Sequence, residues 1–459
     1  MAVGGKFRFW IELVPTIYSA PLTVVPFSGL SRFCHSANVI LRVGGESLMI
    51  AVNPHYFVIR YPQAYELGRQ DRLQTSFKYS AHVRSLLLSV KCFEFPDEPN
   101  LKTMPLVAHN KLPTFSRLHE RGQEVLTLER AQHQDIRELH IGLLNMMPDT
   151  ALTATERQFI SLVGNSNQIA QFYVYPFSIP KLNRGARAKK HIGRYYFDFA
   201  DLADQGLDAL IITGANVAKP SLDQEPFWEP LTEVVRWAEN NVASILCSCL
   251  ATHALVKHRH GIDRQRLPRK QWGVYSHRIS RPEHPLMRGI NTRFDAPHSR
   301  YNEITRSQLD AAGLVVLIES PEAGVHLAVS PDQVRIVYFQ GHPEYDSNSL
   351  LKEYKREVSR YLSDERKSAP RYPEHYFSDE AIKIAATYLE RAEKAKSNGN
   401  APPEFPEKDL EALVDNTWGD TSRAIVNNWL GLVYQLTNLD RELQFMPGVD
   451  PDDPLQLSS

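Results

Sequence analysis

Two short segments hold residue types that can carry out covalent acyl chemistry. Ser244-Ile245-Leu246-Cys247-Ser248-Cys249 ends on a cysteine, and Gly341-His342-Pro343-Glu344 follows far downstream. The first reads as a short buried strand running directly into Leu250-Ala251-Thr252-His253-Ala254-Leu255-Val256, whose spacing is helical. A strand-to-helix turn of this kind lifts a nucleophile out of the sheet edge. The helix N-terminus aimed at it favours the anionic form of a thiol and can stabilise an oxyanion. The second segment follows Val334-Arg335-Ile336-Val337-Tyr338-Phe339-Gln340, another strand, so His342 and Glu344 lie just past a strand end. In open α/β sheets, active sites collect at that edge. A thiolate at Cys249, an imidazole at His342 to take and return a proton, and a carboxylate at Glu344 to hold the imidazole make a complete acyl-transfer set. Cys247 sits inside the strand, where a cysteine is a small buried hydrophobe.

The elements needed to position these residues emerge from about Glu138 onward. Leu139 to Met147 reads as a buried strand, Pro148-Asp149-Thr150 as a helix start, and Ala151 to Val163 as a helix. Phe172 to Tyr175 is a second strand, followed by a basic loop, Lys181 to Arg194. Leu207 to Gly214 is a third strand ending in a glycine turn, and Trp228 to Asn240 is helical. Strands alternating with helices imply βαβ units and a mostly parallel sheet flanked by helices. Beyond His342, helices are expected over Ser349–Leu362, Asp379–Ser397 and Ile425–Leu436. The tail 447–459 is expected to be disordered. The first hundred residues hold apolar runs such as Val39 to Val43 but no sustained period.

Composition narrows the field further. With 52 basic and 53 acidic residues among 459, the net charge of −1 gives no general field for nucleic acid or an anionic membrane. No apolar stretch has the length of a membrane span, and Glu12, Pro15 and Pro21 interrupt any export-signal core. Four cysteines without regular spacing make no disulfide framework, and no second Cys pair or suitably spaced His group completes a zinc site. A free catalytic thiol fits a reducing cytoplasm.

Several segments spread from about Met104 to Leu439 resemble the homoserine O-succinyltransferases, a family built on the class I glutamine-amidotransferase fold. They include Leu144-Asn145-Met146-Met147-Pro148, Ile212-Thr213-Gly214-Ala215, Trp272-Gly273-Val274-Tyr275, Ala296-Pro297-His298-Ser299-Arg300-Tyr301 and Gly341-His342-Pro343-Glu344-Tyr345-Asp346. The resemblance implies a flavodoxin-like, mostly parallel sheet, with Cys249 as acyl-thioester nucleophile, His342 as proton acceptor and Glu344 as its partner. It puts Lys270, Ser299 and Arg356 at substrate-contacting positions. Without the family, Lys270 would read as surface charge, Arg356 as the ion-pair partner of Glu353, and Ser299 as a turn residue. The position after Gly214-Ala215-Asn216-Val217 is where the family sets acyl choice. A glycine there leaves room for succinyl and a glutamate favours acetyl; Ala218 is small and uncharged, which favours succinyl-CoA.

The expected function is therefore transfer of a succinyl group from acyl-CoA to the γ-hydroxyl of L-homoserine, feeding methionine synthesis. Acyl-CoA is a co-substrate, with no metal or permanently bound cofactor, and the expected assembly is a homodimer. Rival readings are an acetyl-CoA-dependent homoserine or L-serine acyltransferase, a glutaminase of the same fold, and a non-catalytic binding protein. The chain departs from the family in having Asp149-Thr150 where a lysine pair is usual, a longer stretch over 363–416, and residues 1–103. Domains are expected at 1–103 (an extension, loosely attached or poorly ordered), 104–446 (catalytic) and 447–459 (tail), with Met104-Pro105-Leu106-Val107 resembling a family N-terminus.

Overall fold

The computed structural model describes residues 106–166 and 170–457, and the backbone of three strands nearer the N-terminus. Those strands, β1 (Ala37–Val43), β2 (Glu46–Asn53) and β3 (Tyr56–Arg60), pair antiparallel in their own sheet. They belong to a unit, Met1–Leu101, distinct from Lys102–Ser459. The Val39–Val43 run, which showed no sustained period, is thus most of a strand. The other expectations for residues 1–103 lie outside the described residues.

The larger unit is organised around one sheet of eleven strands among the described residues. In chain order these are β4 (Leu106–Ala108), β5 (Val125–Thr127), β6 (Glu138–Leu144), β7 (Gln171–Phe177), β8 (Ala209–Ile212) and β9 (Ser244–Ser248). Then follow β10 (Gln265–Ile279), β11 (Arg293–Glu303), β12 (Val315–Ser320), β13 (Gly324–Val329) and β14 (Ile336–Phe339). Across the sheet the order is β11-β10-β12-β13-β14-β9-β8-β6-β7-β4-β5. Pairings from β14 to β5 are parallel, and those from β14 to β11 antiparallel.

The parallel strands are apolar at nearly every position because both faces are covered. Ala209 and Ile211 enter one core, while Leu210 and Ile212 enter the other. The first core is closed by the helices Leu152–Ser166 and Gly419–Leu436, whose Trp429 is fully buried and donates its indole N–H to Ser244 Oγ at 2.8 Å. The second is closed by the helices Trp228–Asn241 and Leu250–His260. No helix among the described residues is long and apolar enough to cross a membrane.

Two expectations are corrected. The basic segment Lys181–Arg194 is not a loop throughout: Ala186–Tyr195 is a helix. Its alanines and long cationic side chains are good helix formers, and Ala188 is the buried contact, so the apolar stripe is too thin to read as a period. The tail from Pro447 is folded back, with Val449 and Leu455 packed against the first core and Pro454 buried. The longer stretch over 363–416 forms a third core, in which Ala381 and Ala385 of the helix Asp379–Ser397 pack with Trp272, Tyr354 and Trp418.

Candidate active site

Cys249 stands between the last residue of β9 and the helix Leu250–His260, with φ 53° and ψ −108°. A non-glycine residue at positive φ is strained by about 1–3 kcal/mol and persists only where its surroundings enforce it. Here the surroundings are two neighbouring strand ends. The Cys249 N–H donates to Phe339 O at 2.8 Å, and Thr252 Oγ1 donates to Phe339 O at 2.7 Å. Because β9 and β14 are parallel with Ser248 opposite Phe339, these bonds set the cysteine beside the chain entering Gly341-His342. The Leu250 amide heads the helix, where backbone N–H groups have no intrahelical acceptor. Gly214, at the end of the turn after β8, presents its open face to Cys249 Cβ and the Leu250 nitrogen, each 3.9 Å from where a Cβ would stand. Cys247 is fully buried inside β9, and burial pushes its thiol far up from the ordinary range.

His342 Nδ1 lies 2.8 Å from Glu344 Oε1, and both side chains are nearly inaccessible. The second oxygen of Glu344 accepts a hydrogen bond from Ser248 Oγ at 3.4 Å, so the residue just before Cys249 also holds the carboxylate. Among the described residues His342 Nε2 makes no hydrogen bond of good geometry, and Cys249 joins Glu344 as a group whose charge acts on the ring. Burial opposes charge on the imidazole, but its interactions with Glu344 and Cys249 outweigh it and raise its pKa well above the usual value. Gly341 is a glycine because nothing else fits: a Cβ would stand 2.5 Å from His326 Nδ1 and 2.9 Å from Pro297 O. Gly341→Ala should displace His342, whose N–H donates to Pro297 O at 2.9 Å. Activity is expected to fall by at least about tenfold, as a small misplacement of reacting groups requires. Steady-state rates measured alongside a thermal melt check this.

Lys270 and Ser299 come together, on a residue that the sequence reading gave only a structural part. Lys270 Nζ lies 2.9 Å from Glu353 Oε2, and Ser299 Oγ donates to the same oxygen at 2.7 Å. Tyr345 donates its hydroxyl to Glu353 Oε1 at 2.7 Å and stacks on His342 with ring centroids 4.2 Å apart. Glu353 is therefore joined to the imidazole through one aromatic ring. Lys270 is only 16% exposed and lies 4.4 Å above the Trp272 ring, so it is not surface charge. A register irregularity in β10 between Arg266 and Gln271 places it there. Burial would raise the Glu353 pKa, but Lys270, with hydrogen bonds from Ser299 and Tyr345, lowers it to about 2.

Arg356 is not joined to this group. It lies one helical turn beyond Glu353, is 48% exposed, and its ion pair, at 3.7 Å, is with Glu357 rather than Glu353. Ala218 is exposed on the loop after Gly214. That loop is tied down by the buried Glu225, whose Oε1 accepts from the N–H groups of Ala218 and Lys219 at 2.6 Å each. Half-buried Arg264, which the sequence alone does not single out, interacts electrostatically with both Cys249 and Glu225.

Behind Gly341, ring nitrogens of His277, His298 and His326 lie within 4.8 Å of one another, a grouping that could hold a metal ion. Hydrogen bonds already assign much of its chemistry. Arg300 Nε donates to His298 Nδ1 at 3.3 Å, His298 Nε2 lies 3.1 Å from His277 Nε2, and His277 Nδ1 lies 2.7 Å from Tyr275 O. With His298 protonated at Nε2 and His277 at Nδ1, every contact in this chain is a donor facing an acceptor. Burial keeps all three rings neutral by lowering their pKa values, that of His277 to about 4. A metal on His298 Nε2 would move its proton to Nδ1, against the Arg300 N–H.

A strained cysteine at a strand-to-helix turn, an imidazole and carboxylate past the adjacent strand, and a helix that begins at the residue after the cysteine define an α/β site with the parts for nucleophilic acyl transfer. Residues 105–439 match the family model described as homoserine O-succinyltransferase. The chain is 60% identical over 355 residues to the homoserine O-succinyltransferase of Methylococcus capsulatus, which covers 77% of this chain and 100% of that protein. It is 59% identical to the protein of that name from Methylobacter tundripaludum, again covering 77% of this chain and 100% of the relative. The chain belongs to the homoserine O-succinyltransferase family. Similar solved structures include a glutamine amidotransferase from Methylobacillus flagellatus, 14% identical, covering 69% of this chain and 99% of that one with a TM-score of 0.38. Another is a glutamine amidotransferase from Thermotoga maritima, 14% identical, covering 66% and 99%, with a TM-score of 0.32.

Proposed function

We propose that the protein transfers a succinyl group from succinyl-CoA to the γ-hydroxyl of L-homoserine through a thioester on Cys249, in the route to methionine. The observation that supports this most is the convergence of Cys249, His342 and Glu344 at neighbouring strand ends, within a chain whose relatives bear that enzyme's name. In the first step the Cys249 thiolate attacks the thioester carbonyl, and the negative oxygen is held by amides near Leu250 and the Gly214 turn. The carbon–sulfur bond to CoA breaks, and the departing thiolate takes a proton from His342. In the second step His342 removes the proton of the acceptor hydroxyl, whose oxygen attacks the acyl-enzyme. The bond to Cys249 then breaks and the thiolate is restored. Glu344 holds Nδ1 throughout, which keeps Nε2 as the working nitrogen.

The acceptor is an amino acid, so its pocket needs an anion for the ammonium and a cation for the carboxylate. Glu353 meets the first need, within one ring of His342. Arg356, a turn further along the same helix and loosely paired, meets the second with a planar fork. Lys270 and Ser299 orient the Glu353 carboxylate. On the donor side, Arg264 supplies a cation for the second carboxylate of succinate. Release of CoA from acetyl- and succinyl-CoA, measured with homoserine and with serine, tests donor and acceptor together. A glutaminase would instead release ammonia from glutamine.

Ala218→Glu is expected to lower kcat/KM for succinyl-CoA relative to acetyl-CoA by about tenfold. An added carboxylate beside Glu225 would repel the distal carboxylate of succinate and compete for Arg264. Wild type that already prefers acetyl-CoA would overturn this reading of the donor pocket.

Residues 1–103 fall outside the family match, and relatives are covered to their full length by 77% of this chain. A protein beginning at Met104 is expected to keep near-full turnover and melting temperature. A large drop in either would assign the extension to the working enzyme.

A further inference from the structure

We propose that the exposed basic helix Ala186–Tyr195 is the docking surface for the phosphorylated nucleotide end of the acyl-CoA donor. This rests on the acyl-transfer reading above and adds to it a surface for the part of the donor that does not react.

From Lys181 to Arg194 the chain carries Lys181, Arg184, Arg187, Lys189, Lys190 and Arg194 and no acidic residue, within a protein of net charge −1. Lys181, Arg187, Lys189, Lys190 and Arg194 are exposed. Lys181, Arg187, Lys189 and Lys190 have no ion-pair partner among the described residues, and Arg194 lies over the Tyr195 ring. Two nearby acids are already engaged. Asp149 pairs with Arg184 and accepts from the Gly185 N–H at 2.7 Å, and the buried Glu156 binds His191 at 2.8 Å. A concentration of cations left unneutralised carries a mutual repulsion that an anionic ligand would relieve.

The position of the helix relative to the thiol selects that ligand. Arg184, with a side chain only 6% exposed, donates to the carbonyls of Met147 and Asn145, so the start of the helix is stapled to the segment leaving β6. Met147 Sδ in turn stands 3.5 Å from the Cβ position of Gly214, on the residue that faces Cys249. The strand β8 separates β6 from β9, so the two strand ends are about 10 Å apart at the usual spacing. The cations therefore begin on the same sheet edge as the thiol, displaced by about that distance. A donor whose thioester lies at Cys249 and whose phosphates hang on a flexible pantetheine arm spans such a gap. An inorganic anion or a free acid would have no reason to bridge the two.

The test compares the wild type with R187E/K189E/K190E, and with a control in which Lys383, Arg391 and Lys394 on the exposed face of Asp379–Ser397 are changed to glutamate. Circular dichroism verifies that all three proteins fold. The donors are succinyl-CoA and S-succinyl-pantetheine, which lacks the nucleotide. The expected result is a rise of about tenfold in KM for succinyl-CoA and a flatter salt dependence in the triple variant. Its kcat, its kinetics with the pantetheine thioester, and the control should be unchanged. An unchanged KM for succinyl-CoA, or the same change with both donors, would overturn the proposal. Calorimetric titration with CoA itself reads the surface without chemistry, and the variant should bind about tenfold more weakly. Loss of all turnover in wild type, with CoA binding intact and sensitive to the variant, would reject the acyl-transfer reading and leave the docking surface standing.

Discussion

Cys249→Ala is expected to lower acyl transfer by roughly a thousandfold or more, while Cys247→Ser keeps most of the activity. Loss of the nucleophile removes the acyl-enzyme route, and what survives comes from binding and amide donors alone. The two cysteines differ in everything that matters for reactivity. Cys249 sits on a strained turn at a helix N-terminus and shares an electrostatic contact with His342, whereas Cys247 is sealed within β9. Wild type mixed with succinyl-CoA in the absence of acceptor should release one equivalent of CoA per active site and gain the mass of one succinyl group. Cys249→Ala should show neither. Equal losses from the two substitutions in folded protein, or sequential kinetics with no adduct in wild type, would remove Cys249 from the mechanism.

Glu353→Gln should separate the two half-reactions. CoA release in the absence of acceptor is expected to persist, and kcat/KM for homoserine to fall by about 100-fold, the scale for losing a charge-assisted contact in a desolvated pocket. Glu353→Asp should restore part of it. An equal fall in both half-reactions would mean that Glu353 acts only by supporting Tyr345 and His342. The same substitution leaves Lys270 without its carboxylate, so stability should drop by about 3 kcal/mol near neutral pH. The pH dependence has a definite sign. The folded-state pKa of Glu353 is depressed from 4.5 to about 2, so its contribution is present above pH 4.5 and is lost as pH falls toward 2. Denaturant melts of wild type and Glu353→Gln should therefore converge across that interval and stay parallel above it.

The βαβ alternation and the two strand ends that carry Cys249, His342 and Glu344 were legible in the residues themselves. The reason is that a parallel strand covered on both faces must be apolar at nearly every position, and a nucleophile turn must end on small and polar residues. Cys247 and Cys249 could be told apart from the strand boundary alone, because one falls inside the apolar run and the other past it. The helices Ser349–Leu362 and Asp379–Ser397 were legible to the residue, since each carries a broad apolar stripe between clear ends. The helix Ala186–Tyr195 was not, because one buried alanine among cations leaves no stripe to detect.

Other parts depended on contacts between residues far apart in the chain. The antiparallel pairing of β10 with β11 sets Trp272 opposite Ser299, and the nearby irregularity in β10 brings in Lys270; no local periodicity encodes that register. Glu353 looked like an ordinary exposed helix residue whose expected partner was Arg356. Tertiary packing gave it Lys270, Ser299 and Tyr345 instead, and left Arg356 facing outward beside Glu357. Ser248 reached Glu344 only because β9 and β14 lie side by side. Residue type and local spacing determined which groups could do chemistry. Which carboxylate each cation meets was decided by strand order and register, because a buried charge takes whichever partner the packed backbone brings within hydrogen-bonding distance.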